Sequence, residues 1–366
     1  MVSGPGDHAD LRQHLRALAN RVREDAAQLR VIFVTNLRHE PVTDLGESGL
    51  LNLGQYYTTN QADQIISSLQ ELGVEVVSFF TEQEFIAAAI SDGFARSGKR
   101  PVVYTAAEGG SGSGRRALIP SLCNLLGLPV LNSGPHGCSI ARHKFHANAV
   151  LARAGVRAPA TWMYRVDGWL TDPPPSGARV IVKPTYESSA IGVGDDSVRV
   201  VDGDLVEFLE TKVAAFGQPV VLQEFITGEE IGIPLIQVDR TCALPVVSFR
   251  RADGSAYGEQ PKTFRMEAID HDASYALYDG PAVMVEAYSE AACRAFDALE
   301  MNGVGRMDFR VDPDGRAWLF DTNESPPPLA GTSYAVAMQA LGLDVSDMLA
   351  VWIGVCLRRA GLLSGV

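Results

Sequence analysis

Apolar positions recur at helical spacing near the start of the chain. Leu11, Leu15, Leu18 and Val22, with Arg and Glu between them, predict a helix over 11–29, an extension packed on the domain after it. The apolar run 31–34 predicts a buried strand. A helix over 61–72 ends at Gly73, and a second strand covers 74–80. A helix over 82–95 puts Phe85, Ile86, Ala89 and Ile90 on one face. A third strand covers 102–105, and after a Gly/Ser run a helix covers 117–126. Strands alternating with helices predict a parallel, doubly wound first domain ending near residue 135.

Beyond it the rhythm changes. A helix over 139–154 carries Lys144 and ends at Gly155. A strand over 180–184 stops at Pro184, and a Ser- and Gly-rich loop runs on to Gly194. A helix is expected over 204–215, strands over 220–225, 229–238 and 243–249, and a long helix over 286–299. Strands over 305–311 and 317–321 form a hairpin across Asp312-Pro313-Asp314-Gly315, a strong turn sequence. The segment 335–357 reads as helix. Hairpins mixed with helices make this half α+β. The proline-rich stretch 172–177 reads as a loop rather than a domain boundary.

Composition narrows the class. Hydrophobic residues make up 46% of 366 and charged residues 20%, so a sizeable core is available and wholesale disorder is excluded. The net charge of −13 disfavours nonspecific coating of nucleic acid or anionic membrane, though one phosphorylated ligand needs only a local cluster of donors. The five cysteines are too scattered for a zinc ribbon or a disulfide framework. With no apolar leader and no membrane-length apolar stretch, a soluble, cytoplasmic protein is expected. Lys is scarce, only Lys99, Lys144, Lys183, Lys212 and Lys262, so each one invites scrutiny.

The chemistry concentrates in three segments. In Gly305-Arg306-Met307-Asp308-Phe309-Arg310, residues two apart share a strand face, so Arg306, Asp308 and Arg310 project together. Asp321 and Asn323 do the same on the next strand. If the strands pair across the turn, Asp308 and Asp321 meet, and two facing carboxylates require a cation between them. Mg²⁺ suits that demand, with Arg306 supplying a planar donor to a phosphate or developing oxyanion. Lys183, at the end of an apolar strand and ahead of Glu187-Ser188-Ser189-Ala190-Ile191-Gly192, can reach phosphate oxygens while the loop folds over them. The third segment, Gln223-Glu224-Phe225-Ile226-Thr227-Gly228-Glu229-Glu230, offers a strand edge for a purine and an acid for ribose hydroxyls. The run Gly109-Gly110-Ser111-Gly112-Ser113-Gly114 lacks dinucleotide spacing and reads as a flexible connection. His143 and His146 flank Lys144 and read as supporting or surface residues, not as catalytic bases.

The order of these segments resembles the ATP-grasp superfamily, and within it the D-alanine–D-alanine ligase group, over roughly residues 139–348. The resemblance implies an α/β and α+β multidomain chain: a helical extension (1–30), a Rossmann-like pre-ATP-grasp domain (31–136), and the central (137–220) and C-terminal (221–366) lobes of a two-lobed ATP-grasp fold. It implies that Lys144 and Lys183 contact ATP phosphates, that Glu187, Ser188, Ser189 and Gly192 form the closing loop, and that Gln223, Glu224 and Ile226 contact adenine. Glu230 becomes the ribose acid, and Asp308, Asp321 and Asn323 become the ligands of Mg²⁺, for which Mn²⁺ could substitute. Arg306 becomes the catalytic arginine, with Lys262 a further phosphate contact at the catalytic end. The implied reaction joins a small-molecule carboxylate to an amine through an acyl phosphate, with no covalent protein nucleophile. The implied partners are those substrates, with neither nucleic acid nor membrane, and the apolar helices of the first domain permit a homodimer.

Three departures bear on the substrate. Where the family has a Gly whose N–H helps hold the oxyanion, this chain reads Ser325-Pro326-Pro327-Pro328, and proline has no N–H. The next stretch, Leu329-Ala330-Gly331-Thr332-Ser333, implies a different acceptor pocket. The first domain lacks the family's Gly-Gly-x-Ser-x-Glu loop; residues 36–40 stand there instead, with Glu40 a weak candidate for gripping an amine. Together these favour carboxylates and amines other than two D-alanines.

Overall fold

The computed structural model describes residues 7–38, 56–92, 94, 98–110, 112–263, 265–266 and 272–363. In the first unit, α1 (Asp7–Asp25) leads through a short 3-10 turn into β1 (Leu29–Val34), a strand buried along nearly its whole length. β2 (Leu37–Arg38) and β3 (Tyr57–Thr58) form a short parallel pair. α2 (Thr59–Glu71) opens on a capping box, in which Thr58 and Gln61 each accept the other's backbone N–H. β4 (Glu75–Phe79), α3 (Glu82–Asp92), β5 (Arg100–Thr105) and α4 (Leu118–Leu126) complete the alternation. The strands pair in parallel in the order β4-β1-β5, the doubly wound pattern that the periodicity predicts.

Where the sequence predicts one helix over 139–154 there are two, α5 (Pro135–Arg142) and α6 (Lys144–Arg153). His143 between them leaves helical geometry at ψ 87°, and its ring accepts the His146 N–H as a cap. The break makes Lys144 the first residue of a new helix, with its backbone N–H directed at Thr185.

The central unit holds β6 (Thr161–Arg165), β7 (Gly168–Trp169), β8 (Arg179–Pro184), β9 (Val198–Val200), α7 (Leu205–Phe216) and β10 (Val220–Glu224). They make one antiparallel sheet in the order β7-β6-β10-β8-β9. β10 pairs with both β6 and β8, so a boundary after residue 220 would cut a strand that the sheet keeps whole through Glu224.

The third unit contains β11 (Glu229–Gln237), β12 (Thr241–Ala243), β13 (Val247–Arg250), β14 (Ser274–Leu277), α8 (Ala282–Ala298), β15 (Val304–Val311), β16 (Ala317–Asn323), α9 (Ser333–Ala340) and α10 (Val345–Arg359). Its sheet runs β14-β13-β11-β15-β16, with β12 paired to β11. The single strand expected over 243–249 is split between β12 and β13, because Pro245 has no N–H for a ladder. The helix expected over 335–357 is bent by 95° between α9 and α10. Gly342 takes a left-handed φ of 71° there, and Asp344 caps α10 reciprocally with Asp347. Among the described residues no single helix is long and apolar enough to cross a membrane. None of the five cysteines is in a disulfide; Cys123, Cys138 and Cys356 are buried, while Cys242 and Cys293 are partly exposed.

The N-terminal extension is part of the core. Leu15, Leu18, Ala19 and Val22 of α1 join one apolar cluster with Val31 and Phe33 of β1 and with Trp352 and Val355 of α10. Arg23 and Asp347 clamp the two helices at 2.8 Å. Leu18→Ala should therefore cost about 2–5 kcal/mol in chemical denaturation, the range for a large-to-small change in a packed core. A loss below about 0.5 kcal/mol, the size of an ordinary surface change, would make α1 a dispensable appendage.

Candidate active site

A cavity of about 300 Å³ opens between the central sheet and the third sheet. Its floor is the β15–β16 hairpin. The register sets Asp308 opposite Asp321 and Arg306 opposite Asn323, with an irregularity just after Asp308. Each facing pair stands roughly 5 Å apart at Cβ in such a ladder. Asp308 is buried, and burial raises its pKa, with Asp321 adding and Arg306 opposing. Arg306 grips it in bidentate fashion, Nε to Oδ1 at 2.6 Å and Nη2 to Oδ2 at 2.8 Å, and donates Nη1 to Ser333 Oγ at 3.0 Å. Asp321 feels burial too, but Lys144, Lys183 and Arg142 outweigh it and hold its pKa below the ordinary value.

The two lysines arrive from different elements. Lys144, at the head of α6, donates to the backbone carbonyl of Glu187 and lies 3.7 Å from Asp321 Oδ1. Lys183, near the end of β8, donates to the Phe320 carbonyl at 3.3 Å. Burial brings the Lys183 pKa down to about 8, opposed by Asp321 and reinforced by Lys144. Lys144 is lowered for the same first reason. Lys262 enters from the loop after β13 with its ammonium over the Phe249 ring, and its charge reaches Asp308.

At the far end, Gln223 on β10 is almost wholly buried, and among the described residues neither its amide oxygen nor its nitrogen has a partner. An amide donor and acceptor left unsatisfied beside a cavity call for a ligand edge carrying the complement. Glu224 is the exposed end of the same strand, and Ile226 lies just beyond. Glu230 is buried and paired with Arg310, whose Nε and Nη2 reach Glu230 Oε1 at 3.0 and 2.6 Å. The same guanidinium donates to the carbonyls of Ile226, Gly258 and Gln260.

Of the sequence-predicted site residues, all but Gly192 line this one cavity. Gly192 sits beneath the loop instead. Its φ is 73°, and a Cβ there would fall 2.5 Å from Pro184 Cγ and 2.9 Å from the Phe216 ring, so it folds the loop rather than facing a ligand. The Glu187 carboxylate is turned away from the lysines, toward Arg115 and Gln218. His143 and His146 stack on each other at 3.7 Å and do not line the cavity; burial pushes His143 down to about 4. Glu40 lies outside the described residues.

Sequence reasoning missed a second polar group beside the site. Arg115, Arg116 and Arg142 interlock with Glu108, Glu187 and Glu324, nearly all of them buried. The available signal was positional: Glu108 and the Arg115-Arg116 pair bracket the Gly/Ser run, and a mere linker needs no such bracket. It also missed Arg310, although its place two residues after Asp308 on the same face was in view.

The donor set at the hairpin fits Mg²⁺. Asp308, Asp321 and the Asn323 amide are hard oxygen donors that leave positions for water and phosphate oxygens. Ser325 N–H donates to Asn323 Oδ1 at 3.0 Å and fixes that side chain. Among the described residues there is no group of three His, Cys, Asp or Glu able to hold a metal.

The family described as D-ala D-ala ligase C-terminus matches residues 150–353, more than half of the chain. The chain belongs to that family. Among curated D-alanine–D-alanine ligases, that of Bordetella petrii is 28% identical over 283 residues, covering 77% of this chain and 82% of the relative. That of Cupriavidus pinatubonensis is 27% identical, covering 86% and 93%. Among solved structures, the Bacillus anthracis D-alanine–D-alanine ligase complexed with ATP superposes with a TM-score of 0.66 at 19% identity, covering 91% of this chain and 98% of that one. The VanG D-Ala:D-Ser ligase of Enterococcus faecalis gives 0.62 at 17%, covering 90% and 99%. The fold is thus the ATP-grasp fold of the D-alanine–D-alanine ligases, and Pro327 lines the wall of the cavity between its two sheets.

The Glu230–Arg310 pair is the most exacting structural element of the site. Arg310→Met leaves a buried carboxylate uncompensated and should cost about 3–5 kcal/mol in chemical denaturation. Glu230→Met/Arg310→Met together should recover the part of that loss due to the orphaned carboxylate, though not the part due to the Ile226, Gly258 and Gln260 carbonyls that lose their donor; equal loss in the single and double variants would remove the pair's assigned role.

Proposed function

We propose that this chain is an ATP- and Mg²⁺-dependent ligase that joins the carboxylate of one small amino-acid-like substrate to the amine of another. The observation that carries the reading is the meeting, in one cavity, of the opposed Asp308 and Asp321 with Lys144 and Lys183. In this reading Gln223 takes the adenine edge. Its amide oxygen accepts from the exocyclic amine and its nitrogen donates to a ring nitrogen, the pairing that suits an adenine. Lys144, Lys183 and the 188–191 backbone hold the phosphates. Asp308, Asp321 and Asn323 would hold the metal, which when bound neutralises charge on the terminal phosphoryls. The substrate carboxylate takes the γ-phosphoryl and ADP is released. The amine then attacks the acyl carbon, the C–O bond to phosphate breaks, and an amide and inorganic phosphate leave with the amine's proton. Arg306 faces the group on which negative charge develops.

The substrates proposed are not two D-alanines. Pro327 removes a backbone donor of a kind worth about 10²–10³ in rate elsewhere, and Leu329, Thr332 and Ser333 line the acceptor end in its place. The same proline supports a second reading, an ATP-binding protein without ligase turnover. The working parts are proposed as the extension 1–30, the Rossmann-like domain 31–136 and two lobes whose boundary, expected after residue 220, is placed after Glu224 so that β10 stays whole in the central lobe, in a cytoplasmic enzyme.

The test is to incubate the protein with ATP, Mg²⁺ and a panel of amino acids that includes D-alanine, and to measure ADP and new amides by mass spectrometry. ADP should accumulate with a new amide, and Asp321→Ala or Lys183→Ala should lower turnover by about 10²-fold or more. Unchanged turnover in both variants contradicts the site. ATP uptake without ADP favours the second reading, and D-Ala–D-Ala as the main product contradicts the substrate proposal.

The charge on Lys183 also sets a pH dependence. Bound phosphate favours the charged amine, whose pKa burial lowers to about 8 in the free protein. ATP affinity should therefore be level below pH 8 and fall above it, by up to tenfold per unit. Lys183→Arg, which keeps its charge, should remove the fall near 8 in calorimetric titrations across pH.

A further inference from the structure

The loop over the proposed phosphate end is not held by its own lobe alone. Its backbone places Ser189 and Ala190 consecutively at a φ of 54°, left-handed geometry that non-glycine residues keep only when the surroundings impose it. Just before them, Glu187 is almost wholly buried and accepts a bidentate pair of hydrogen bonds from Arg115, Nη1 to Oε1 at 3.1 Å and Nη2 to Oε2 at 2.7 Å. Arg115 belongs to the first unit, in the short turn that comes after the Gly/Ser run. Gln218 completes the grip from below. Its amide nitrogen donates to Glu187 Oε1 at 2.8 Å, and its oxygen accepts the Tyr186 N–H at 2.9 Å. The backbone carbonyl of Glu187 meanwhile takes Lys144.

The grip continues to the other side of the cavity. Arg115 also reaches Glu108, which accepts from Arg142 at 3.1 Å, and Arg142 reaches Glu324 at 3.1 Å. Glu324 directly follows Asn323 of the hairpin. One buried chain of charges therefore runs from the loop, through the first unit, to the residues proposed to hold the metal.

We propose that Arg115 is a positioning residue of the first domain that acts through Glu187 to set the 185–194 loop over the phosphates, so that the nucleotide seat is complete only when the first domain is docked. This rests on the nucleotide reading above. A lysine would supply the charge but not the fork, because a point ammonium cannot span both carboxylate oxygens.

The experiment compares the full chain with Arg115→Met and Arg115→Lys by hydrogen exchange without nucleotide and by calorimetric titration with ATP and Mg²⁺. In Arg115→Met the amides of Tyr186 and Ile191 should exchange at least tenfold faster while those of β15 and β16 stay within twofold, and ATP should bind at least tenfold more weakly. Arg115→Lys should fall between it and the wild type. Loop exchange within twofold of wild type overturns the proposal. So does faster exchange spread equally over β15 and β16, and so does faster loop exchange with unchanged ATP affinity. If Arg115→Met gives no cooperative melt, Arg115→Lys decides, with a threefold rise in loop exchange and a threefold loss of affinity expected and neither change overturning. A wild-type protein that takes up no ATP defeats the nucleotide reading, while the exchange comparison still decides whether Arg115 holds the loop.

Discussion

Two carboxylates facing each other across a β-ladder are the constraint around which this molecule is arranged. Asp308 and Asp321 sit opposite one another in a cleft walled by two sheets. Away from bulk water their repulsion is amplified, and so is their attraction for any cation. The fold answers with Arg306 on Asp308 and with Lys144 and Lys183 beside Asp321. The opposite directions of the two pKa shifts result from this division: burial prevails at Asp308, whereas at Asp321 burial is outweighed by Lys144, Lys183 and Arg142 acting together. This division of charge is what supports the proposal of a polyanion and a divalent ion held here together.

The architecture serves that balance. Each cation comes from a different element: Lys183 from the central sheet, Lys144 from the helix that starts at the His143 break, and Arg306 from the hairpin itself. No single unit carries the complete set. The first unit contributes Gln61 to the cavity wall and, beside it, the Arg115 and Glu108 of the buried Arg–Glu group. Buried ion pairs of this kind are weak evidence for stability, since desolvation offsets much of their attraction, but they are exacting about geometry. That makes them suited to joining parts that must meet in one arrangement.

Much of this was legible in the sequence because it lives in short-range patterns. Strand alternation put Asp308 and Arg306 on one face, the Asp-Pro-Asp-Gly turn fixed the hairpin, and the register then brought Asp321 across. The parallel first sheet came from its βα rhythm. The rest depends on contacts that periodicity does not encode. The break at His143 needs a ring to cap a helix, which no apolar spacing reveals. The bend before α10 turns on Gly342 and the Asp344 cap inside an otherwise continuous apolar pattern. The strands β6, β9 and β14 are short and mixed in character, and they take their form from neighbours already in place. Arg115 and Glu187 lie 72 residues apart, and only the packed units bring them together. Gly192, which the resemblance puts in the closing loop, is held to glycine by the Pro184 and Phe216 packing beneath it, a contact that no sequence pattern shows.

The central claim is that the cleft takes up a purine triphosphate with the help of a divalent cation held at Asp308, Asp321 and Asn323. The most direct measurement is a calorimetric titration of folded protein with ATP, once with Mg²⁺ and once with the metal chelated. The account predicts saturable one-site binding in the first titration and a loss of at least tenfold in affinity in the second. Folded protein that takes up no ATP, or that binds it equally well without the metal, would contradict it.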